Sequence, residues 1–468
     1  MTEVLVLGGG MVGLSTASLL ARDGHHVTVL ERDPEPPPST VEEIWGGWER
    51  RGVTQFHQAH YFQPRMTAEL TRELPEVLAA AESLGALRSN VISWAGPLNG
   101  IEWQPGDEQF DIVTARRPVM EASVAQVAAA TPGVDVRRGV AVAGLLTGER
   151  ASDGTPHVTG ARTGSGQEFT ADVVIDAGGR RSALPRWLGD IDAAAPAEER
   201  EEFGFTYFGQ YFQGDAIPEY RAQVLTTYGA VSILALPADN NTWVIAFVGL
   251  SGDAPMRALM DRDTFARTLA AFPLLAHWGD AEPVGDVQMM AKLEDRITRL
   301  VVDGSPVATG ILPVGDSWAC SNPSLGRGAT IGFLHAVTLR DTLRDHDGDA
   351  TALSLAFDRA TAERVQPWYD ATLGVDRERR REIEAAIAGE EYGPSDPGVE
   401  IGAAFRRVAD IDPDTYRSFQ TVACMLAPVG EVVARPGVLD RVFELGADWR
   451  DHPTPGPSRP EFLDLLAG

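Results

Sequence analysis

Three glycines, Gly8-x-Gly10-x-x-Gly13, stand between the apolar run EVLVL and a stretch with helical periodicity, MVGLSTASLLARDG. The first glycine lets a chain turn tightly, the second lets its backbone approach a pyrophosphate, and the third lets the helix lie close on the strand. Met11 and Val12 open that helix, whose N-terminus offers unpaired N–H groups and a positive dipole end to phosphate. Glu31 closes the next apolar run, HHVTVLER, with Arg32 beside it. A carboxylate at that place accepts from an adenosine ribose hydroxyl, so the unit predicts a dinucleotide site. A second constellation lies some three hundred residues on, in ILPVGDSWACSNPSLGRGATIG. There Gly315 and Asp316 follow an apolar strand, and Pro323, Gly326 and Gly328 lead into a helix starting near Ala329. The Asp316 carboxylate can bind a ribityl hydroxyl. The helix start can donate to the N1–C2=O edge of a flavin, where charge gathers on reduction. A nicotinamide domain has no need of this second element, so the expected cofactor is FAD.

Other chemistry-bearing residues carry less. His57 and His60 sit in FHQAHYF at a spacing a metal could use, but no Cys or carboxylate cluster is near them in the chain, and no metal site is expected. Phe205, Tyr207, Tyr211 and Phe212 either line an apolar pocket above the flavin or pack on a sheet face. Nothing around Cys320 would activate a thiolate. No residue stands out as a catalytic acid or base.

The elements that must position these groups read as strand, turn, helix, strand at the start, then a proline-rich loop, DPEPPPS. Residues 66–88 read as one helix, RPVMEASVAQVAAATPG as another, and FTADVVIDAGG as a buried strand. Residues 204–252 change character: AVSILALPADNNTWVIAFVGL is two strands joined at ADNN, a hairpin signal within an antiparallel sheet. From Ala352 the chain is mostly helical. The expected fold is α/β: a Rossmann-like FAD-binding domain, an inserted antiparallel β-sheet substrate domain and a helical C-terminal region. FAD-binding parts are expected at 1–85, 116–190 and 301–350, substrate-domain parts at 86–115 and 191–300, and the helical region at 351–468.

The 468 residues are enough for two or three subdomains, and the 44% hydrophobic content is ordinary for a globular chain. A formal charge of −27 argues against nucleic acid or an anionic membrane surface as partner. Lys292 is the only lysine, and Cys320 and Cys424 are the only cysteines, which fits a reducing compartment. No signal peptide or membrane span is read, and a cytoplasmic protein is expected.

From about residue 3 to 345 the chain resembles the FAD-dependent monooxygenases of the para-hydroxybenzoate hydroxylase type. GGGMVGLSTASLLARDGHHVTVLER resembles the family's FAD pyrophosphate and ribose motif. TARRPVMEASV resembles its Arg-Pro-apolar-apolar-Glu segment, which implies that Arg117 lies against the flavin. DVVIDAGGRRSALPRWL is similar to the Asp-Gly segment at Asp176, and VGDSWACSNPSLGRGATIG to the Gly-Asp segment at Gly315 and Asp316. WERRGVTQFHQAHYFQPR and the helical C-terminal third resemble an actinobacterial group of hydroxylases and epoxidases, which implies that His60 or Arg65 lies near the cofactor. The family's Asp-Gly-x-x-Ser pattern is longer here by two residues between Asp176 and Ser182. That departure leaves open whether NADH or NADPH binds directly or a partner flavin reductase supplies electrons.

The resemblance implies oxygen transfer from a flavin C4a-(hydro)peroxide, hydroxylating or epoxidising an apolar or aromatic small molecule of natural-product type, with O₂ as co-substrate. The protein's part would be to hold the substrate, with His60, Tyr207 and Tyr211 as candidate contacts, and to exclude water. The alternatives are a flavin dehydrogenase or reductase that inserts no oxygen, a flavin halogenase, and a non-catalytic FAD-fold binding protein. A halogenase would need a lysine in the FAD domain, and none precedes Lys292.

Overall fold

Alternation through short apolar strands builds the central layer. Val4 and Val6 pack into one buried cluster and Leu5 and Leu7 into another on the opposite face. A strand buried on both faces reads as a continuous apolar run, as EVLVL does. Each such fully buried side chain contributes about 1.5–3 kcal/mol. The computed structural model describes residues 2–468 apart from 97, 99, 100, 152, 292, 347 and 395, so Lys292 lies outside the described residues. Its parallel sheet runs Ile311–Pro313, Val173–Asp176, Glu3–Leu7, His26–Glu31, Val134–Arg138. One face carries the helices Met11–Arg22, Arg117–Ala130 and Gly328–Asp345, whose apolar residues join the Val4 and Val6 cluster. The other is covered by the antiparallel meander Val142–Thr147, Val158–Thr163, Glu168–Thr170.

The second large sheet is antiparallel, in the order Leu225–Tyr228, Val231–Pro237, Thr242–Leu250, Phe205–Gln213, Glu282–Met290. Its hairpin turns at 238–241, where Asn240 and Asn241 take φ of 51° and 54°. Asparagine tolerates the left-handed region that a tight hairpin needs. The same turn docks the sheet onto the parallel layer. Asp239 is buried and accepts from the Arg116 backbone N–H at 2.7 Å and from its guanidinium at 2.6 Å. That pair fixes the start of the helix Arg117–Ala130, and with it Arg117.

The helix expected over residues 66–88 is instead two helices, Pro64–Glu73 and Pro75–Ser83, followed by a strand from Leu87. The break has a local cause. Pro75 excludes the helical conformation at the residue before it, and Leu74 sits at φ −142°, ψ 58°. After residue 350 the chain is helical, with Asp349, Asp396 and Asp412 each accepting from backbone N–H groups at a helix start. Among the described residues, no helix is long and apolar enough to cross a membrane.

Candidate active site

A cavity of about 510 Å³ runs between the parallel sheet, the antiparallel sheet and the C-terminal helices. Its wall takes in Gly8, Gly10, Met11, Val12, Gly13, Glu31, Arg32, His60, Arg117, Asp176, Asp316, Pro323, Gly326, Gly328 and Ala329. The structure thus brings residues from five separate stretches of the chain to one surface.

The opening turn is built around what a side chain would strike. Gly8 has φ +115°, and a Cβ there would lie 2.5 Å from the Ala177 carbonyl oxygen. A Cβ on Gly13 would lie 2.1 Å from the Gly8 carbonyl oxygen, so the helix can approach the strand only with glycine. Gly10 differs: a Cβ there would meet no protein atom within 4 Å. It caps the helix without a side-chain hydrogen bond, and it lines the cavity. The second long helix on this cavity, Gly328–Asp345, also starts without a side-chain cap. Two helix N-termini therefore present unsatisfied N–H groups to one cavity.

A buried polar chain runs along this wall. Glu31 accepts from Gly9 N–H at 2.9 Å and from Asp33 N–H at 2.8 Å. Arg50 reaches Glu31 at 2.8 Å, Asp33 at 3.0 Å and Glu121 at 3.1 Å. Glu121 also accepts from Arg117 at 2.7 Å, and Arg117 donates to His60 Nε2 at 2.9 Å. Since arginine only donates, His60 Nε2 is the acceptor, and its Nδ1–H donates to the Gln58 carbonyl at 2.9 Å. Burial, with the Arg117 charge beside it, lowers the His60 pKa to about 3, so the ring is neutral. His57 is held separately, on the Trp45 carbonyl at 3.0 Å. Arg65 pairs with Glu69 at 2.7 Å.

At the other end of the turn, Gly315–Ser317 forms a single 3-10 turn after the strand Ile311–Pro313. His335, fully buried, accepts from Gly315 N–H at 3.2 Å and donates to Thr361 at 3.1 Å. Val12 packs on the other side, where a Cβ on Gly315 would come within 3.1 Å of it. Asp316 then faces the cavity, and no hydrogen-bond partner holds its carboxylate among the described residues. Burial pushes its carboxyl up, opposed by Arg180, Arg117 and Arg296. Asp176 is different. It is buried, accepts from Gly178 N–H at 3.0 Å, and takes the Ser182 hydroxyl despite the longer loop. The two extra residues fold into the 3-10 turn Gly179–Arg181, so the Asp–Ser contact survives them.

Tyr207 and Tyr211 are not brought to the cavity wall, which corrects their assignment as substrate contacts. Strand phase points both toward the parallel-sheet side, where they are covered. The Tyr207 hydroxyl donates to Asn322 at 2.8 Å and the Tyr211 hydroxyl to the Gln58 carbonyl at 3.0 Å. Phe208 and Phe212 alternate to the opposite core. The sheet instead presents Leu225, Leu234, Leu236 and Met290 to the cavity. Arg50 and His335 were not legible as site residues. Arg50 is one of two adjacent arginines, and the other, Arg51, has a side chain 87% exposed.

His60 and His335 give the fold an acid limit. Burial lowers the pKa of each to about 3, against 6.5 for an unburied imidazole. As pH falls, the unfolded chain takes up these protons first, so stability is complete above pH 6.5 and declines toward pH 3. Between about pH 7.5 and 5.5 the pair should remove ~3 kcal/mol. Urea midpoints at the two pH values should show this, and His335→Gln should lose about half of the difference. An undiminished difference in that variant would refute the assignment.

A family model described as FAD dependent oxidoreductase matches residues 3–341. The chain belongs to the FAD-dependent oxidoreductases. This oxidoreductase is 28% identical over 422 residues to "Protein Rv3254" of Mycobacterium tuberculosis, covering 80% of each chain. It is 25% identical over 455 residues to a kynurenine 3-monooxygenase of Salinispora tropica, covering 94% of this chain and 92% of that one. Among solved structures it resembles PqsL of P. aeruginosa in complex with 2-aminobenzoylacetate, with a TM-score of 0.60 at 17% identity. That match covers 82% of this chain and 98% of the other. The residues on the cavity fit FAD: an open cradle at Gly10, two uncapped helix starts, and a half-buried carboxylate at Asp316 left free to accept hydroxyls.

Proposed function

We propose that this oxidoreductase is an FAD-dependent monooxygenase of the para-hydroxybenzoate hydroxylase type that hydroxylates or epoxidises an apolar or aromatic small molecule. The observation that carries the reading is the continuity of the cavity, from the Gly10 cradle past Asp316 and Gly328 to a chamber walled by Leu225, Leu234, Leu236, Met290 and Leu293. The curated relatives that are kynurenine 3-monooxygenases support it. Bound FAD would take electrons from NADH or NADPH, directly or through a partner flavin reductase, and activate O₂.

The chain's own residues do the rest. Gly10 and the N–H groups of Met11 and Val12 would hold the pyrophosphate, and Glu31 would accept from the ribose. Arg32 lies at the same end of the cavity. Asp316 would accept from the ribityl chain, and the helix start at Gly328 and Ala329 would donate to the pyrimidine edge of the flavin. Pro323 and Gly326 shape the approach to that start: Gly326 takes φ +62°, and a Cβ there would come within 2.7 Å of Tyr61. Arg117, fixed by Glu121 and His60, would lie against the flavin, and the leucine wall would exclude water from it. Asp176 closes the turn at Gly178, on the same cavity wall.

Labelled O₂ tests the reading. With FAD, a reductant and an accepted substrate, ¹⁸O from O₂ should enter the product in a one-to-one ratio. Product formed anaerobically with an artificial electron acceptor, and carrying no label, would establish a dehydrogenase instead.

A further inference from the structure

The loop 321–328 has two sides. Its front is cavity wall, through Ser321, Pro323, Ser324, Gly326 and Arg327. Its back is held by three elements that the motifs did not point to. Asp295, the first residue of the strand Asp295–Arg299, accepts from Asn322 N–H at 2.7 Å. Asp376, on the helix Gln366–Ala388, accepts from the Ser324 hydroxyl. Tyr207, on the antiparallel sheet, donates to Asn322 Oδ1 at 2.8 Å. The two carboxyl groups thus grip neighbouring parts of one short loop.

Both acids are fully buried. Each has one oxygen, Oδ2, without a hydrogen-bond partner, and the Asn322 Nδ2 beside Asp376 is unpartnered too. Buried carboxylates are ordinarily paired and hydrogen-bonded, so two such acids with unmet oxygens disfavour a second negative charge. Nearby charges offset this only in part. Arg327 faces Asp376, but its one printed bond is a long contact to Thr372 at 3.4 Å. Arg180, on the Asp295 side, donates to the Glu294 and Ser321 carbonyls. Arg377 and Glu201 pair with each other at 2.6 Å, and Arg296 with Glu294 at 3.2 Å. The Tyr207 and Tyr369 hydroxyls, raised by burial, stay neutral. Burial pushes the Asp295 carboxyl up to about 6 and, reinforced by the Asp295 charge, the Asp376 carboxyl up to about 7. Two interacting acids give up their protons in separate steps, so an interval exists in which they hold one proton between them.

We propose that Asp295 and Asp376 are positioning residues that form a proton-linked latch on this loop: with one proton between them they hold it in place against FAD, and with both charged they repel and loosen it. The proposal rests on FAD binding in the cavity and not on oxygen insertion. FAD filling the cavity removes water from the front of the loop, which disfavours the doubly charged pair further. The loaded protein therefore keeps the proton to a higher pH than the empty one. FAD binding is then level at low pH and weakens as pH rises between the two midpoints.

FAD release from the loaded protein, read as the rise in flavin fluorescence after dilution, tests it. Release should be at least about fivefold faster at about pH 8.5 than at about pH 6. Asp376→Asn cannot take the second charge, so its release should change by less than about twofold over the same range. Asp176 and Asp316, the other raised carboxyls on the cavity wall, are untouched in that variant, so a dependence that belonged to them would persist. Asp295→Asn removes the like charge beside Asp376, so the midpoint should move to lower pH, by about half a unit or more. A merely structural contact would leave the midpoint where it was. Infrared difference spectra of the loaded protein between the two pH values should show a protonated carboxyl lost, and Asp376→Asn should show less of that loss. Release that is level in the parent, a pH dependence kept in Asp376→Asn, or an undiminished carboxyl signal in that variant overturns the latch. If Asp376→Asn does not fold, the Asp295→Asn midpoint decides, and an unmoved midpoint overturns it. No turnover is read, so a protein that shows the latch yet inserts no oxygen would refute the oxygenase reading alone.

Discussion

Replacing Gly10 with valine should give a folded protein that holds no FAD. The position is the one glycine of the opening motif whose missing side chain leaves room only toward the cavity. A Cβ there meets no protein atom within 4 Å, and φ is −79°, which valine adopts without strain. The fold therefore tolerates the change, at a cost of about 1 kcal/mol or less for a poorer cap. The isopropyl group would occupy the space where phosphate oxygens meet the first N–H groups of the helix. A loss of at least about 2.7 kcal/mol, or a hundredfold in FAD affinity, is expected. Flavin absorbance per protein after purification, with far-ultraviolet circular dichroism, checks both halves. Gly13→Val is the contrasting case: its Cβ would lie 2.1 Å from the Gly8 carbonyl oxygen, so it should fail to fold. Full flavin content in folded Gly10→Val would place the pyrophosphate elsewhere.

The contrast between Gly10 and Gly13 also shows how far a motif reads. Spacing alone marks the turn, because the backbone geometry of strand, turn and helix is local. The Asp316 turn was legible for the same reason, a strand end followed by a glycine-led helix. What spacing could not carry was the phase of Phe205–Gln213. Both faces of that strand are buried, so its sequence shows no alternation of polar and apolar residues to say which tyrosine looks where. The helix break at Leu74 was open to a local argument, since Pro75 was in plain view. Arg327 was not open to one. Its buried Nε has no partner, and a missing partner is a property of the assembled fold.

Arg50 is read only from the partners it has in the assembled fold, and its replacement should have the largest effect on stability. Its guanidinium is buried and holds Glu31, Asp33 and Glu121 together, with the Gly9 carbonyl at 3.3 Å. Removing it leaves three carboxylates clustered away from water, two of them directly behind the cofactor cradle. Breaking a buried ion pair from one side costs about 3–5 kcal/mol, and here one side serves three partners. Arg50→Ala should therefore lower the urea midpoint by at least that equivalent. Arg50→Lys should recover only part of it, because a single ammonium cannot present a planar fork to three acids. Arg51→Ala, one residue on and with its side chain 87% exposed, should stay within about 0.5 kcal/mol of the parent. The effect should also reach the ligand. Glu31 accepts from Gly9 N–H on one side and from Arg50 on the other, so releasing Arg50 frees the carboxylate that orders the glycine turn. FAD titrations of Arg50→Lys, the variant expected to stay folded, should show weaker binding, since Arg50 both holds Glu31 and stands on the cavity wall. Parental stability in Arg50→Ala, or parental FAD affinity in Arg50→Lys, would mean that the cradle is held without it.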